Sequence, residues 1–435
     1  MRMLAVYIND RPVGLLREGE TLWSFDYDPE WAAAPDGFDL SPALVRAKLK
    51  HDDGGTLRPV QWYFDNLLPE ELLREAIQKE AGINGDDAFA LLEYLGAESA
   101  GSLTLLPPGQ ALPQDSHLLP LTDAALSKRI DNLPRVTLSH GSPKQMSVPG
   151  AQNKLLVVYR DNALFEPEGA FPSTHILKPN HLSNDYAASV INEYFTMRLA
   201  DALGLVVPAV RRRYTPQPVY LIDRFDRYLA TPRGPVQRRH IIDACQLLNK
   251  ARSFKYTSAT LDALREIIDR CRNRSSTRRR LFQWLVFNTL IANHDTHLKN
   301  LSFTVSAEGI SLAPHYDLLS TGVYHTRALA NERANWPAVE LAIELPGATT
   351  FATVTRKALL EAGAVLKLPA AAAERELDRM AKALPEAVAQ VINGIEAENA
   401  QLPEGAARFL GGESRLLRAI EHIIVPDMLA QVKKN

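Results

Sequence analysis

The sequence predicts an α+β fold, β-rich at its start and mostly helical over its second half, on three observations. Apolar alternation fills the opening stretch, short β-like runs recur between residues 137 and 230, and helical periodicity dominates beyond about residue 240. Residues 4–8 and 12–16 read as strands about an Asn9-Asp10-Arg11-Pro12 turn, and 22–27 as a third. Pro69 with Glu70 and Glu71 opens a helix over 69–80, because proline fits a first turn and acids offset the partial positive charge there. Residues 86–95 carry helical periodicity behind Asp86-Asp87, and 103–106 close the sheet. Residues 107–122 are proline-rich, polar and aperiodic, the pattern of a linker. Strand-like runs follow at 155–159, 175–178 and 219–222, with a helix over 187–203 among them. Helices are expected over 260–270, 277–293, 354–366, 370–393 and 412–423, interrupted by strand-like 301–305 and 310–312. No internal repeat or low-complexity tract is visible.

A chain of 435 residues fits two or three domains with large cores. With 49 Lys+Arg against 51 Asp+Glu, no global field points to nucleic acid or an anionic membrane, so any such contact must be local. Cys245 and Cys271 stand in no metal-binding spacing, which suits a reducing cytosol. The first apolar run stops at Asn9-Asp10-Arg11, below signal-peptide length, and no window reads as a membrane span. A soluble, cytoplasmic protein without membrane contact is therefore expected.

The chemistry concentrates in Ile291-Ala292-Asn293-His294-Asp295-Thr296-His297-Leu298-Lys299-Asn300, at the exit of a helix apolar on nearly every face. Asp295 and Asn300 are five apart, the separation in the protein-kinase loop H-R-D-x-x-x-x-N, where Asp takes the hydroxyl proton and Asn holds magnesium. Asp317, in His315-Tyr316-Asp317, follows after a short hairpin, where a second magnesium carboxylate is needed. Upstream, the strand ending in Lys178 offers a cation for phosphates. Earlier still, Ser147-Val148-Pro149-Gly150-Ala151-Gln152-Asn153-Lys154 forms a glycine-containing turn before a strand. One glycine is weak support for a phosphate cradle, since a plain turn needs one too; the order of the parts matters more.

These stretches, with Phe64-Asp65-Asn66-Leu67-Leu68-Pro69, Ala100–Leu105, Asp223-Arg224-Phe225-Asp226-Arg227 and Cys245-Gln246, resemble the HipA-type serine/threonine kinases, toxin halves of bacterial toxin–antitoxin pairs. The resemblance runs through the whole chain. It implies a two-lobed kinase-like fold: an N-terminal subdomain over 1–110, an N-lobe over 111–225 and a helical C-lobe over 226–435. ATP and Mg²⁺ would be the cofactors, bound in the cleft. Asp295 would be the catalytic base, Asn300 and Asp317 the Mg²⁺ ligands, and Lys178 the lysine on the α/β-phosphates. Val148, Gly150, Ala151, Gln152, Asn153 and Lys154 would cradle phosphates, and Asp223 and Phe225 would meet adenine at the hinge. Asp226, His297 and Tyr316 would line the nucleotide site, and Ser147 matches the autophosphorylated serine whose modification switches the kinase off. Asp223 stands where glutamate is expected, and Pro149 stiffens the loop. There is no G-x-G-x-x-G, D-F-G or A-P-E, which excludes the eukaryotic-type family.

The resemblance also implies a helix-turn-helix antitoxin of the HipB type, operator DNA reached mainly through it, and an aminoacyl-tRNA synthetase as target, the glutamyl enzyme favoured. Phosphorylating that target would arrest growth and produce persistence. In such an antitoxin–operator complex the kinase would lie at the nucleoid. Arg270, Arg272, Arg274, Arg278, Arg279 and Arg280 form the densest basic stretch; it reads as a solvated face or as a local DNA contact. Two other readings stay open. His294, Asp295, His297 and His315 could be ligands of an HD-type metal phosphohydrolase, or the chain could be a catalytically silent co-repressor scaffold.

Overall fold

In the computed structural model, which describes residues 1–433 except Thr21, Gly85, Pro232 and Arg233, the chain opens with a five-stranded antiparallel sheet. Its strands are β1 (Arg2–Ile8), β2 (Arg11–Glu18), β3 (Trp23–Tyr27), β4 (Lys50–Asp52) and β5 (Leu103–Leu106), in the order β4-β3-β2-β1-β5. Asn9 makes the first turn possible by taking a left-handed φ of 52°, which a short polar side chain tolerates. Leu4, Val6 and Ile8 point inward on alternate positions of β1, as do Trp23, Phe25 and Tyr27 on β3. Against this sheet packs the helix Pro59–Asp65. Its first N–H groups are capped from a distance, Val60 and Gln61 donating to the two carboxylate oxygens of Asp53 at 2.8 and 3.0 Å.

The chain divides into two compact units. The first comprises Met1–Lys178, Asp223–Phe254 and Ser302–Ala313; the second comprises Pro179–Ile222, Lys255–Leu301 and everything from Pro314 onward. Besides the opening sheet, the first unit holds β6 (Ser116–Pro120), β7 (Leu155–Arg160), β8 (Ala163–Gly169) and β9 (His175–Pro179), ordered β9-β7-β8-β6. Leu155 and Leu156 face Leu177 and Ile176 across β7 and β9, so the register of β9 fixes the height of Lys178. β6 lies in the stretch expected to be a linker. It is an edge strand whose side chains are nearly all exposed, so no apolar alternation marks it in the sequence.

The second unit is mostly helical. The helix Ser189–Ala202 is buried almost all round, and Ala370–Asn399 runs for 30 residues through Pro385. The expected helix over 277–293 is Arg274–Leu290, started by the Asn273 side chain on the Ser276 N–H and stopped three residues early. Where one helix was expected over 412–423, Ala407–Ala419 leads into a π turn at Ile420–Ile424 and a further helix, Val425–Val432. Pro426 has no N–H to give the preceding turn, which accounts for the break. The α+β class stands. No helix among the described residues is long and apolar enough to cross a membrane.

Candidate active site

In the second unit, packing fixes where the loop over 291–300 begins. The helix Arg274–Leu290 is buried from Leu281 to its end, and Ala292 then takes a left-handed φ of 54°. Ala292 N–H bonds the Thr289 carbonyl at 3.1 Å and Asn293 N–H the Asn288 carbonyl at 2.8 Å, a paired closure that turns the chain sharply. Asn293 ties the loop down. Its Nδ2 donates to Asn288 Oδ1 at 2.8 Å while its Oδ1 accepts the Asp295 N–H at 3.1 Å. Asn300 Nδ2 donates to the Asp295 carbonyl at 2.8 Å, so the two residues five apart close one loop.

Tyr316 OH donates to the Lys299 carbonyl at 2.7 Å, which locks the segment carrying Asp317 to the same loop. Asp317 is held at φ 58°, a conformation costing a non-glycine residue about 1 kcal/mol or more. Burial first, then the charges of Glu193 and Asp317, push the Tyr220 phenol well above its ordinary range. Asp295 and Asp317 are half-buried, whereas Asn300 is buried. Tyr256 OH donates to Asp295 Oδ1 at 2.5 Å, and its ring lies edge-on to His297, centroids 4.8 Å apart.

The neighbouring histidines go to separate partners. His294 Nε2 faces His325 Nε2 at 3.2 Å, and burial followed by the charge of His325 lowers the His294 pKa. His315 stacks on Trp284, and burial pushes it down to about 3. Among the described residues no group of three or more His, Cys, Asp or Glu is gathered to hold a metal. A transition-metal site on His294, His297 and His315 thus has no geometry. A magnesium ion shared by Asn300, Asp317 and phosphate oxygens needs no such cluster, and the oxygen-only donors fit it.

In the first unit, Ser147 is buried, its N–H on the Glu98 carbonyl at 2.7 Å and its Oγ on the Leu67 carbonyl at 2.5 Å. Gly150 takes φ 115° and bridges Pro69, accepting the Glu70 N–H at 3.2 Å. Lys154 Nζ returns to the Pro149 carbonyl at 2.5 Å, and Asn153 Oδ1 accepts the Leu138 N–H at 3.4 Å. Val148 and Gln152 are half-buried and Ala151 is exposed. Lys178 is buried at the end of β9. Asp223 Oδ1 meets His175 Nε2 at 3.0 Å, Arg224 N–H bonds the Thr174 carbonyl at 2.9 Å, and Phe225 is half-buried.

Asp226 takes a place of another kind. Its Oδ1 accepts Arg224 Nε at 3.0 Å; its Oδ2 accepts Arg224 Nη2 at 2.7 Å and the Gly101 N–H at 2.8 Å. Glu98, fully buried, stands at the centre of the same network, with Lys144 at 2.9 Å, Arg227 at 2.9 Å and Arg224 at 3.2 Å. Burial alone would push Glu98 up, but Lys144, Arg227, Arg238 and Arg224 hold it well below the ordinary carboxylate range. The sequence reading missed this network, whose members lie far apart in the chain and leave no local pattern. It also missed Asn293, Glu193 and Tyr256. The basic stretch is partly committed elsewhere, Arg270 to Glu266 at 2.6 Å and Arg279 to Glu376 at 2.9 Å.

Residues 4–106 match the HipA N-terminal domain and residues 146–388 the HipA-like C-terminal domain, the latter more than half of the chain. The chain belongs to the HipA family. The serine/threonine-protein kinase toxin HipA of Shewanella oneidensis is 32% identical over 343 residues, 74% of this chain and 76% of that one. A Sinorhizobium fredii protein, Y4mE, is 33% identical over 408 residues, 90% of this chain and 92% of its own. A solved structure from Shewanella oneidensis MR-1, a toxin–antitoxin complex of HipA, HipB and operator DNA, matches with a TM-score of 0.77 at 28% identity. It covers 98% of this chain and 99% of that one.

Proposed function

We propose that this HipA-family chain is a kinase that transfers the γ-phosphate of ATP to a serine or threonine hydroxyl of a protein. The observation carrying the reading is the loop closed by Asn300 on the Asp295 carbonyl, which fixes a half-exposed carboxylate beside a hard oxygen donor. The naming of the Shewanella relative as a serine/threonine-protein kinase supports it. Magnesium ATP supplies the phosphoryl group and, through the metal, the neutralisation of its charge. Asn300 and Asp317 would hold the metal. Asp295 orients the acceptor hydroxyl and takes its proton; Lys178 and the backbone of 148–154 offset phosphate charge; Asp223 and Phe225 meet the base. Such a site works by positioning and electrostatics more than by covalent chemistry.

Ser147 is the proposed autophosphorylation site. Its Oγ lies against the Leu67 carbonyl, and a phosphate there would face acceptors rather than donors, so modification would expel the 147–154 loop and stop turnover. The proposed partner is a HipB-like antitoxin that neutralises the toxin and brings it to operator DNA at the nucleoid, as the assembly of the Shewanella relative suggests. With Arg270 and Arg279 paired to acids, direct DNA contact by this chain is a minor part of the proposal. The target class proposed, from the family resemblance, is an aminoacyl-tRNA synthetase, the glutamyl enzyme first. Phosphoproteomics after induced expression tests this: wild type should add serine or threonine phosphosites that Asp295→Asn does not. No difference between the two would overturn the reading.

A further inference from the structure

We infer that the Tyr256 hydroxyl occupies the place of the acceptor hydroxyl on Asp295, so that a substrate serine or threonine must displace it. The inference rests on the kinase reading above and names a residue that reading does not use. Tyr256 lies in a turn whose Lys255 carbonyl accepts the Leu298 N–H at 3.1 Å, so the turn is attached to the catalytic loop through the backbone. Its ring is edge-on to His297 at 4.8 Å, with Lys255 Nζ 5.2 Å from its centroid. The side chain is nonetheless 45% exposed, an unusual setting for an aromatic residue whose hydroxyl reaches a carboxylate.

Asp226 is met by Arg224 and the Gly101 N–H, and where a tyrosine reaches a carboxylate elsewhere, as Tyr214 reaches Glu413 at 2.6 Å, an arginine, Arg212, bonds the same carboxylate at 3.0 Å. Asp295 Oδ1 is instead met by a phenol at 2.5 Å, the separation of a charge-assisted O–H···O⁻ bond. That is also the arrangement in which a general base receives a substrate hydroxyl. Tyr256 is a poor stand-in to keep: its exposure lets it rotate into solvent, and once away it leaves His297 and the Lys255 stem as walls for the incoming residue. Tyr256 is thus a positioning residue that competes for the acceptor subsite and selects for acceptors able to push it aside.

The test compares wild type, Asp295→Asn and Tyr256→Phe in transferring phosphate from magnesium ATP to a degenerate serine/threonine peptide library, with KM and kcat measured on peptides selected from it. Tyr256→Phe keeps the ring and removes the competing hydroxyl. It should lower the acceptor KM about 3- to 10-fold, the worth of one hydrogen bond, with kcat and the KM for ATP unchanged. An unchanged acceptor KM, or a lower kcat at constant KM, would show that the phenol assists Asp295 instead and would overturn the inference alone. Absence of any transfer that depends on Asp295 would overturn the kinase reading, and this inference with it.

Discussion

Asp226 and Asp295 are the same residue type in the same family of motifs, yet their surroundings differ. Around Asp226 and Glu98 four cations, Lys144, Arg224, Arg227 and Arg238, gather with two carboxylates and several carbonyls and satisfy one another. Around Asp295 the work is done by neutral groups, Asn293, Asn300 and Tyr316, which bond backbone atoms, and the Asp295 and Asp317 side chains stay half-buried. Charge that holds backbone in place is paired inside the protein, whereas the charge proposed to act on a ligand at Asp295 is held in position by uncharged neighbours. The contrast yields tests of which acids belong to structure and which to chemistry.

The largest effect on stability should come from the buried network. Glu98→Gln or Asp226→Asn removes one of two carboxylates from among four cations and should cost about 3–5 kcal/mol in denaturant unfolding, the usual consequence of stranding buried charge. A change below about 1 kcal/mol would mean that the cations are satisfied by carbonyls alone. A smaller effect should come from buried histidines. Burial pushes His240 down to about 4 and His315 to about 3, so both stay neutral in the folded protein while the unfolded chain takes up protons near pH 6.5. Stability is therefore complete above pH 6.5 and falls as the pH drops, by roughly 2 kcal/mol per histidine at pH 5. Unfolding midpoints at pH 7.5 and 5 measure this, and His240→Gln should flatten the dependence; a midpoint rising at pH 5 would contradict it.

The contrast also explains what was legible. Four of the five strands of the opening sheet and most helices from Leu261 onward were legible because apolar spacing follows the local period, whereas the three-residue β4 and the break at Ile420–Ile424 were not. β6 was not, since an exposed edge strand buries nothing that could be read. The spacing of Asp295, Asn300 and Asp317 stood out in the sequence because phosphoryl transfer, the proposed chemistry, demands fixed residue types in order. Glu98 lies 126 residues from Arg224, and Tyr256 lies 39 from Asp295; pairings so distant leave no local pattern. Asp226 was singled out by its motif, and only the geometry reveals how thoroughly its oxygens are engaged.

The most direct test is a paired measurement on Asp295→Asn: its denaturant midpoint, and the phosphate it gains, by intact mass, on incubation with magnesium ATP. Because the carboxylate is half-exposed and its loop is held by other groups, the variant should unfold within about 0.5 kcal/mol of wild type. Loss of the base should slow phosphate gain at least about 100-fold. A variant that unfolds like Asp226→Asn, or one that gains phosphate as fast as wild type, would contradict the assignment of Asp295 to chemistry.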